Sequence, residues 1–389
     1  MKPAEAGAPG VATRVLAAKV LDAVIHRGRS LKGELVAALA QLPDPRDRAL
    51  LEAICFPALR QRARYEAALQ SWLQKPLGEK DGDVRALLFV GFAQIDAMGL
   101  PAHAAVSATV EAARVLGRPH QAGMINALLR RAQREGIAAA DPAMAWPAWL
   151  RKKVTLAWAA QAPAIFEASA HAAPLWIRVN RAAGSRDDYA ARLRAAGIEC
   201  SASALLADAL RIDSGKAAHL LERDPSLRLL ALDVDPRRLR RVGETLQRVG
   251  ASAELLAADA AAPETWWQGT AFDAVLLDAP CSATGIVRRQ PDVLLHRRPE
   301  DLTALVALQS RLLDACWKVL EPGGVLVYAT CSILVEENAG QVDAFLARTA
   351  DARVEALGGD YGQPAGAGRQ RLPGEQGMDG FFYARLRKT

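Results

Sequence analysis

Two stretches decide the fold: Ala271-Phe272-Asp273-Ala274-Val275-Leu276-Leu277-Asp278-Ala279-Pro280-Cys281 and Val325-Leu326-Val327-Tyr328-Ala329-Thr330-Cys331. Each is a short apolar run that ends in a turn, and each turn carries a thiol. Runs of this length, rich in β-branched and aromatic residues and stopped by Asp, Pro or Thr, read as buried strands. Between them, Leu302–Leu320 has helical spacing and stops at Pro322-Gly323-Gly324. Working outward, helix Ala217–Glu222 leads to strand Leu227–Leu232. Helix Pro236–Val249 leads to strand Ala253–Leu256, and helix Glu336–Arg348 follows the second thiol. Alternation of this kind implies a parallel sheet covered on both faces. Asp233 and Asp278 close their strands and Asp259 soon follows a third. Ligands in such sheets bind at the carboxyl ends of strands, so these acids share the ligand side with the thiols.

The rest of the chain is different. From Thr13 to about Arg134 the apolar residues recur at helical spacing (Val15, Leu16, Val20, Leu21, Val24; then Leu87, Leu88, Val90; then Ile125, Leu128, Leu129) with no strand-like alternation. The expected organisation is multidomain. Residues 1–12 form a disordered tail, 13–140 an all-α domain, 141–212 linker helices and a small α+β module, and 213–389 an α/β domain. In the module, Leu175–Val179 and Ala209–Ile212 read as strands and Arg186–Ala196 as a helix.

Composition narrows the class. The formal net charge is +6 over 389 residues. Residues 1–140 hold 19 Lys and Arg against 13 Asp and Glu, and the remainder holds 30 of each, so the surplus lies in the helical domain. A basic patch there suits a polyanion such as RNA, and it suits a merely soluble surface equally well. No apolar run is long enough to span a bilayer. The five cysteines fit neither a disulfide framework nor a zinc site, which points to reduced thiols in a cytoplasmic protein with no metal.

Two thiols at strand ends suit one chemistry in particular. A cytosine carbon is a poor nucleophile by itself. A thiolate that adds to the neighbouring ring carbon converts the base into an enamine-like nucleophile able to take a methyl group, and a second thiol or base then helps the adduct collapse. The bland alternative is that both are buried apolar thiols.

The motifs around both cysteines resemble those of the RNA 5-methylcytosine methyltransferases, in particular bacterial 16S ribosomal RNA enzymes with a fused NusB-like N-terminal domain. Asp278-Ala279-Pro280-Cys281-Ser282-Ala283-Thr284-Gly285 is similar to the family's fourth motif. Ala329-Thr330-Cys331-Ser332 with Glu336-Glu337-Asn338 is similar to its sixth. Asp379-Gly380-Phe381-Phe382-Tyr383-Ala384 is similar to its closing strand, and Asn126-Ala127-Leu128-Leu129-Arg130 to the NusB-like signature helix.

The resemblance implies a Rossmann-like methyltransferase domain that uses S-adenosylmethionine and methylates a cytosine of 16S ribosomal RNA. Cys331 would be the nucleophile and Cys281 the group assisting release. Asp233 would hold the cofactor ribose, Asp259 would sit near the adenine, and Asp278 would lie against cofactor and base. Each of these acids also reads as a helix cap or turn residue. Arg130, Arg288 and Arg289 would meet RNA phosphates, with a solvated loop as the alternative for the latter two. Trp266-Trp267 reads as packing on the sheet edge, or as a base-stacking pair. The chain is expected to act as a monomer.

One part of the pattern is missing. Ahead of the ribose-binding strand the family carries a first strand and a Gly-rich loop that brings backbone close to the cofactor. Here Asp213-Ser214 runs straight into Gly215-Lys216-Ala217, and only Gly215 and Lys216 match the end of that loop. A segment of about forty residues, from a position central to this fold, has no counterpart. Three readings stay open: a segment that the molecule contains and this sequence closes over, a shortened, weakened or dead enzyme, or Ala209–Ile212 standing in for the missing strand.

Overall fold

The computed structural model describes residues 10–174, 179, 184–195, 200–202, 227–248 and 250–389. The strands expected at 175–179 and 209–212, the helix at 217–222, most of the tail, and Gly215 and Lys216 lie wholly or mostly outside these residues.

The chain divides into two compact units. The first combines residues 1–172 with 282–301, and the second combines 173–281 with 302–389. The first unit is helical, as its sequence period demands: α1 Val11–Arg27, α2 Leu31–Leu39, α3 Pro45–Arg60, α4 Arg62–Trp72, α5 Gly82–Phe92, α6 Ala102–Val115, α7 Ala122–Glu135, α8 Ala148–Trp158 and α9 Ala162–Ala170. Helix α1 starts at Val11, two residues ahead of the expected boundary, because Val11 is itself core (2 % exposed).

Helix α5 is the axis of this unit. Leu87, Leu88, Phe89 and Val90 are all fully buried, so it is apolar on every side rather than amphipathic. A Cβ on Gly91 would come within 2.4 Å of the Leu129 side chain, so the glycine is what lets α7 approach. One buried polar cluster is paired internally. Arg14 Nε donates to Gln94 Oε1 (2.9 Å), and Gln94 Nε2 donates to the Val90 carbonyl (2.9 Å) and Thr109 Oγ1 (3.3 Å). The inserted segment 282–301, with its short helix α12 (Val293–His296), is tied into the same unit. Leu31 N–H donates to Asp292 Oδ2 (3.0 Å), adding to the Ser30 cap of α2.

The second unit holds α10 Arg186–Ala195, β1 Leu230–Asp233, α11 Pro236–Arg248, β2 Glu254–Ala257, β3 Phe272–Asp278, α13 Pro299–Lys318 (its first residues counted with the helical unit), β4 Leu320–Thr330, α14 Ala339–Arg348, β5 Ala352–Glu355, β6 Gln363–Ala365, β7 Gly368–Arg371 and β8 Phe381–Lys388. Strands β3 and β4 are parallel, with Val275 opposite Leu326 and Asp278 opposite Ala329. Strand β8 then runs antiparallel to β4, and also pairs with β5 and β7. The expected all-parallel sheet is therefore mixed. Strand β8 buries alternate residues, Phe382, Ala384 and Leu386, as a strand with one covered face does. The core of this unit packs Trp317 on Phe345 (centroids 5.2 Å apart) and Tyr328 on Phe382 (6.3 Å).

Strands β1 and β2 form a separate parallel pair. Among the described residues β1 pairs only with β2, and β3 only with β4. Strand β3 is correspondingly open: Asp273, Ala274, Leu276 and Asp278 are exposed, Leu276 by 41 %. A parallel strand this apolar is ordinarily covered on both faces and paired on both edges. Residues 203–226, ahead of β1, lie outside the described residues.

Leu87→Ala removes a fully buried side chain at the centre of the helical unit. We expect it to cost about 2–5 kcal/mol, read as a lower urea midpoint for that unit's transition.

Candidate active site

The ladder between β3 and β4 carries both cysteines to one place. It ends with Ala279 N–H donating to the Ala329 carbonyl (2.9 Å). Two residues further on, Cys281 Sγ and Cys331 Sγ lie 3.4 Å apart, both partly exposed. The remaining thiols differ. Burial drives the Cys55 thiol far above the usual range, with Glu52 adding to it, and burial pushes Cys316 up to about 11. Cys200, partly exposed, has its Sγ 3.7 Å from the Ala190 carbonyl.

A buried polar network surrounds the second cysteine turn. Thr330 Oγ1 donates to Asn338 Oδ1 (2.6 Å). Asn338 Nδ2 donates to the Ser332 carbonyl (2.9 Å) and to Gln370 Oε1 (2.7 Å). Ser332 Oγ donates to Glu337 Oε2 (2.5 Å), and Tyr328 Oη donates to the Glu337 carbonyl (2.7 Å). Tyr383 on β8 completes the wall. Burial pushes its phenol up to about 12; Arg371 opposes this, and the nearby Asp278, Tyr361 and Cys331 add to it. Sequence reading missed Tyr383, Gln309, Ser332 and Gln370. Ser332 and Tyr383 stood within the quoted motifs without a role, and Gln309 was a polar residue following an apolar stretch of its helix.

The strand-end acids lie where the strand pattern put them, with two making turns. Asp233 Oδ1 accepts from Asp235 N–H (2.8 Å), and its Oδ2 is 3.7 Å from Arg238 Nη1. Asp235, rather than Asp233, caps α11 by accepting from Arg237 N–H (2.9 Å). Asp259 Oδ1 accepts from Ala261 N–H (2.9 Å), and Trp266 Nε1 donates to the Asp259 carbonyl (3.1 Å). Trp266 also packs on Phe272 (6.4 Å), the first residue of β3, in keeping with the sheet-edge reading. Asp278 closes β3 and is exposed. Acceptor-only carboxylates at strand ends suit a ligand that presents hydroxyl and amine donors, as S-adenosylmethionine does. Gly215 and Lys216, which would face its carboxylate, lie outside the described residues.

In the helical unit, Arg130 is exposed on α7 and its Nη1 donates to Gln133 Oε1 (3.1 Å). Arg289 is partly exposed, whereas Arg288 is 5 % exposed. The Arg288 carbonyl accepts from Arg60 Nε (2.8 Å), and burial, helped by Arg288, lowers Arg60 to about 10. A cleft of about 220 Å³ in this unit is lined by Arg60, Arg62, Trp146, Phe166 and His171, and neither Cys281 nor Cys331 lines it.

Residues 205–387 match the family described as 16S rRNA methyltransferase RsmB/F. Residues 11–134 match the NusB family, and 146–219 the ferredoxin-like domain of RsmF/B-like methyltransferases. Ribosomal RNA small subunit methyltransferase B of Xanthomonas campestris pv. campestris is 54 % identical over the whole of both chains. The chain belongs to the RsmB/F family. The protein of the same description from Xylella fastidiosa (strain Temecula1) is 55 % identical over 97 % of this chain and 98 % of its own. The crystal structure of PH0851 shares the fold, with a TM-score of 0.75 at 20 % identity over 98 % of this chain and 99 % of that one. The Xanthomonas alignment runs 436 positions against 389 residues here, so at least 47 positions of this RsmB/F relative have no counterpart.

Alkylation with iodoacetamide at about pH 8, followed by peptide mapping, is expected to label Cys281 and Cys331 well before Cys55 and Cys316. A raised thiol pKa leaves less thiolate at that pH, and burial blocks access. Equal labelling rates would contradict the assignment.

Proposed function

We propose that this chain methylates C5 of a cytosine in 16S ribosomal RNA through a covalent adduct with Cys331. The 3.4 Å separation of the Cys281 and Cys331 sulfurs at the ends of adjacent parallel strands carries the reading. S-adenosylmethionine would supply an electrophilic methyl group, with Asp233, Asp259 and Asp278 on the side of its ribose, adenine and reacting end.

The Cys331 thiolate adds to C6 of the base, and the ring electrons move to C5, which becomes the nucleophile for the methyl group. As the new C–C bond forms, the methyl's bond to the donor's sulfonium sulfur would break and leave a neutral thioether, so that C5 carries both a methyl and a proton. Loss of that proton returns the electron pair to the ring and expels the Cys331 sulfur. Cys281, next to the leaving sulfur, assists this last step. The target carbon is shielded in a stacked helix, so the cytosine enters single-stranded or flipped out. Arg130 and Arg289 are the accessible members of the expected phosphate-binding set, with Arg288 held inside beside Arg60.

Cys331→Ala is expected to reduce methyl transfer to a 16S rRNA fragment by about a thousandfold or more. Cys281→Ala should instead accumulate a protein–RNA adduct stable to denaturing gel electrophoresis. Full activity in Cys331→Ala would refute the nucleophile.

A second reading has its own support: the open edge of β3 and the 47 or more unmatched positions favour an RNA-binding relative with weakened catalysis. Intact mass and calorimetric titration of S-adenosylmethionine on one sample separate the two. A mass near 41.6 kDa with no binding favours the second reading; micromolar binding at that mass favours the enzyme.

A further inference from the structure

The β3–β4 ladder stops at Ala279 and Ala329, so it does not itself fix the thiols two residues beyond. A separate set of bonds spans that gap. Gln309, on α13 and fully buried, points its amide between the two cysteine turns. Its Nε2 donates to the Pro280 carbonyl (2.9 Å) and to Glu337 Oε1 (3.2 Å). Glu337 Oε2 in turn accepts from Ser332 Oγ (2.5 Å). Pro280 immediately precedes Cys281, and Ser332 immediately follows Cys331. One carboxamide therefore links the two loops through a single intervening carboxylate, with both of its N–H groups used.

The surroundings favour a rigid link. Glu337 and Ser332 are fully buried, and Gln341, 3 % exposed, donates to the Val306 carbonyl (2.6 Å) and to Gln309 Oε1 (3.4 Å), fixing which way the amide faces. Inside a protein such bonds are stronger than in water, and breaking one strands a buried partner.

The geometry points to Gln309 as a positioning residue that, with Glu337 and Ser332, holds the Cys281 and Cys331 sulfurs within reach of each other. This rests on the reading of the two cysteines as a working pair. It touches no reacting atom. Its effect is on the separation of the thiols, and so on the turnover step rather than on cofactor or RNA affinity.

Phenylarsine oxide reads that separation directly, because its arsenic bonds to two neighbouring sulfurs at once, releasing water. The full-length protein should take up one phenylarsenic group by intact mass, and Cys281→Ser should abolish the uptake. Gln309→Met keeps the length and removes the donor. It should weaken capture by at least about tenfold and lower kcat about tenfold to a hundredfold, with KM for RNA and the melting temperature little changed. Ser332→Ala cuts the other end of the link and should act in the same direction, which serves as the test if Gln309→Met folds poorly. Glu337→Gln keeps an acceptor and should recover most of the capture. Wild-type capture retained in both Gln309→Met and Ser332→Ala, with kcat unchanged, overturns the positioning role. No capture by the wild type overturns the cysteine pair itself.

Discussion

The hydrogen-bond ladder between β3 and β4 is the constraint from which the site follows. Parallel pairing in register brings two strand ends, separated by 50 residues of sequence at the cysteines, to the same level, and both turns then carry their thiols to one side. Regular backbone pairing can go no further than the last strand residue. Beyond it, geometry passes to side chains, and the buried amides, hydroxyls and carboxylate around Cys331 do what the backbone cannot. Polar groups of this density in a core are costly unless each finds a partner, so their survival there argues that they set an arrangement rather than add stability.

The same reasoning identifies the weak point of the unit. A doubly wound sheet is held together from its middle outward. Here the described strands fall into a two-stranded pair and a six-stranded mixed sheet, and β3, at one end of the latter, has apolar side chains that meet solvent. The strand-end acids are present, but the backbone that would unite them across one continuous sheet is not among the described strands.

Much of this was legible in the letters. The periodicity of residues 13–134 gave the helical unit because helices with one buried face, such as α7, repeat their apolar residues at helical spacing. The strand-and-thiol stretches placed Cys281 and Cys331 together because a strand end is a fixed point. The gap ahead of Gly215 was visible as an absent pattern. Other features were not legible. The antiparallel entry of β8 depends on pairing across the sheet, which alternation alone does not orient. The choice of Asp235 over Asp233 as the helix cap turns on a local backbone geometry shared by both residues. Gln309 is a single polar letter in an apolar helix, and only the packing of α13 against both cysteine turns gives it meaning. Arg288 reads as a surface cation by type, yet it is buried beside Arg60.

The assignment of residues 282–301 to the helical unit has a consequence for how the molecule can be divided. The chain leaves the sheet-bearing unit directly after Cys281 and rejoins it at Leu302, so the boundary between units runs through the motif itself. A fragment ending near residue 172 would lose the Arg288 carbonyl that receives Arg60 and the Asp292 carboxylate that receives the Leu31 amide. The complementary fragment would carry a twenty-residue loop with no body to fold on. Modular as its family matches make it look, each unit is assembled from two separate stretches of the chain, so a single cut in the sequence cannot release either one whole.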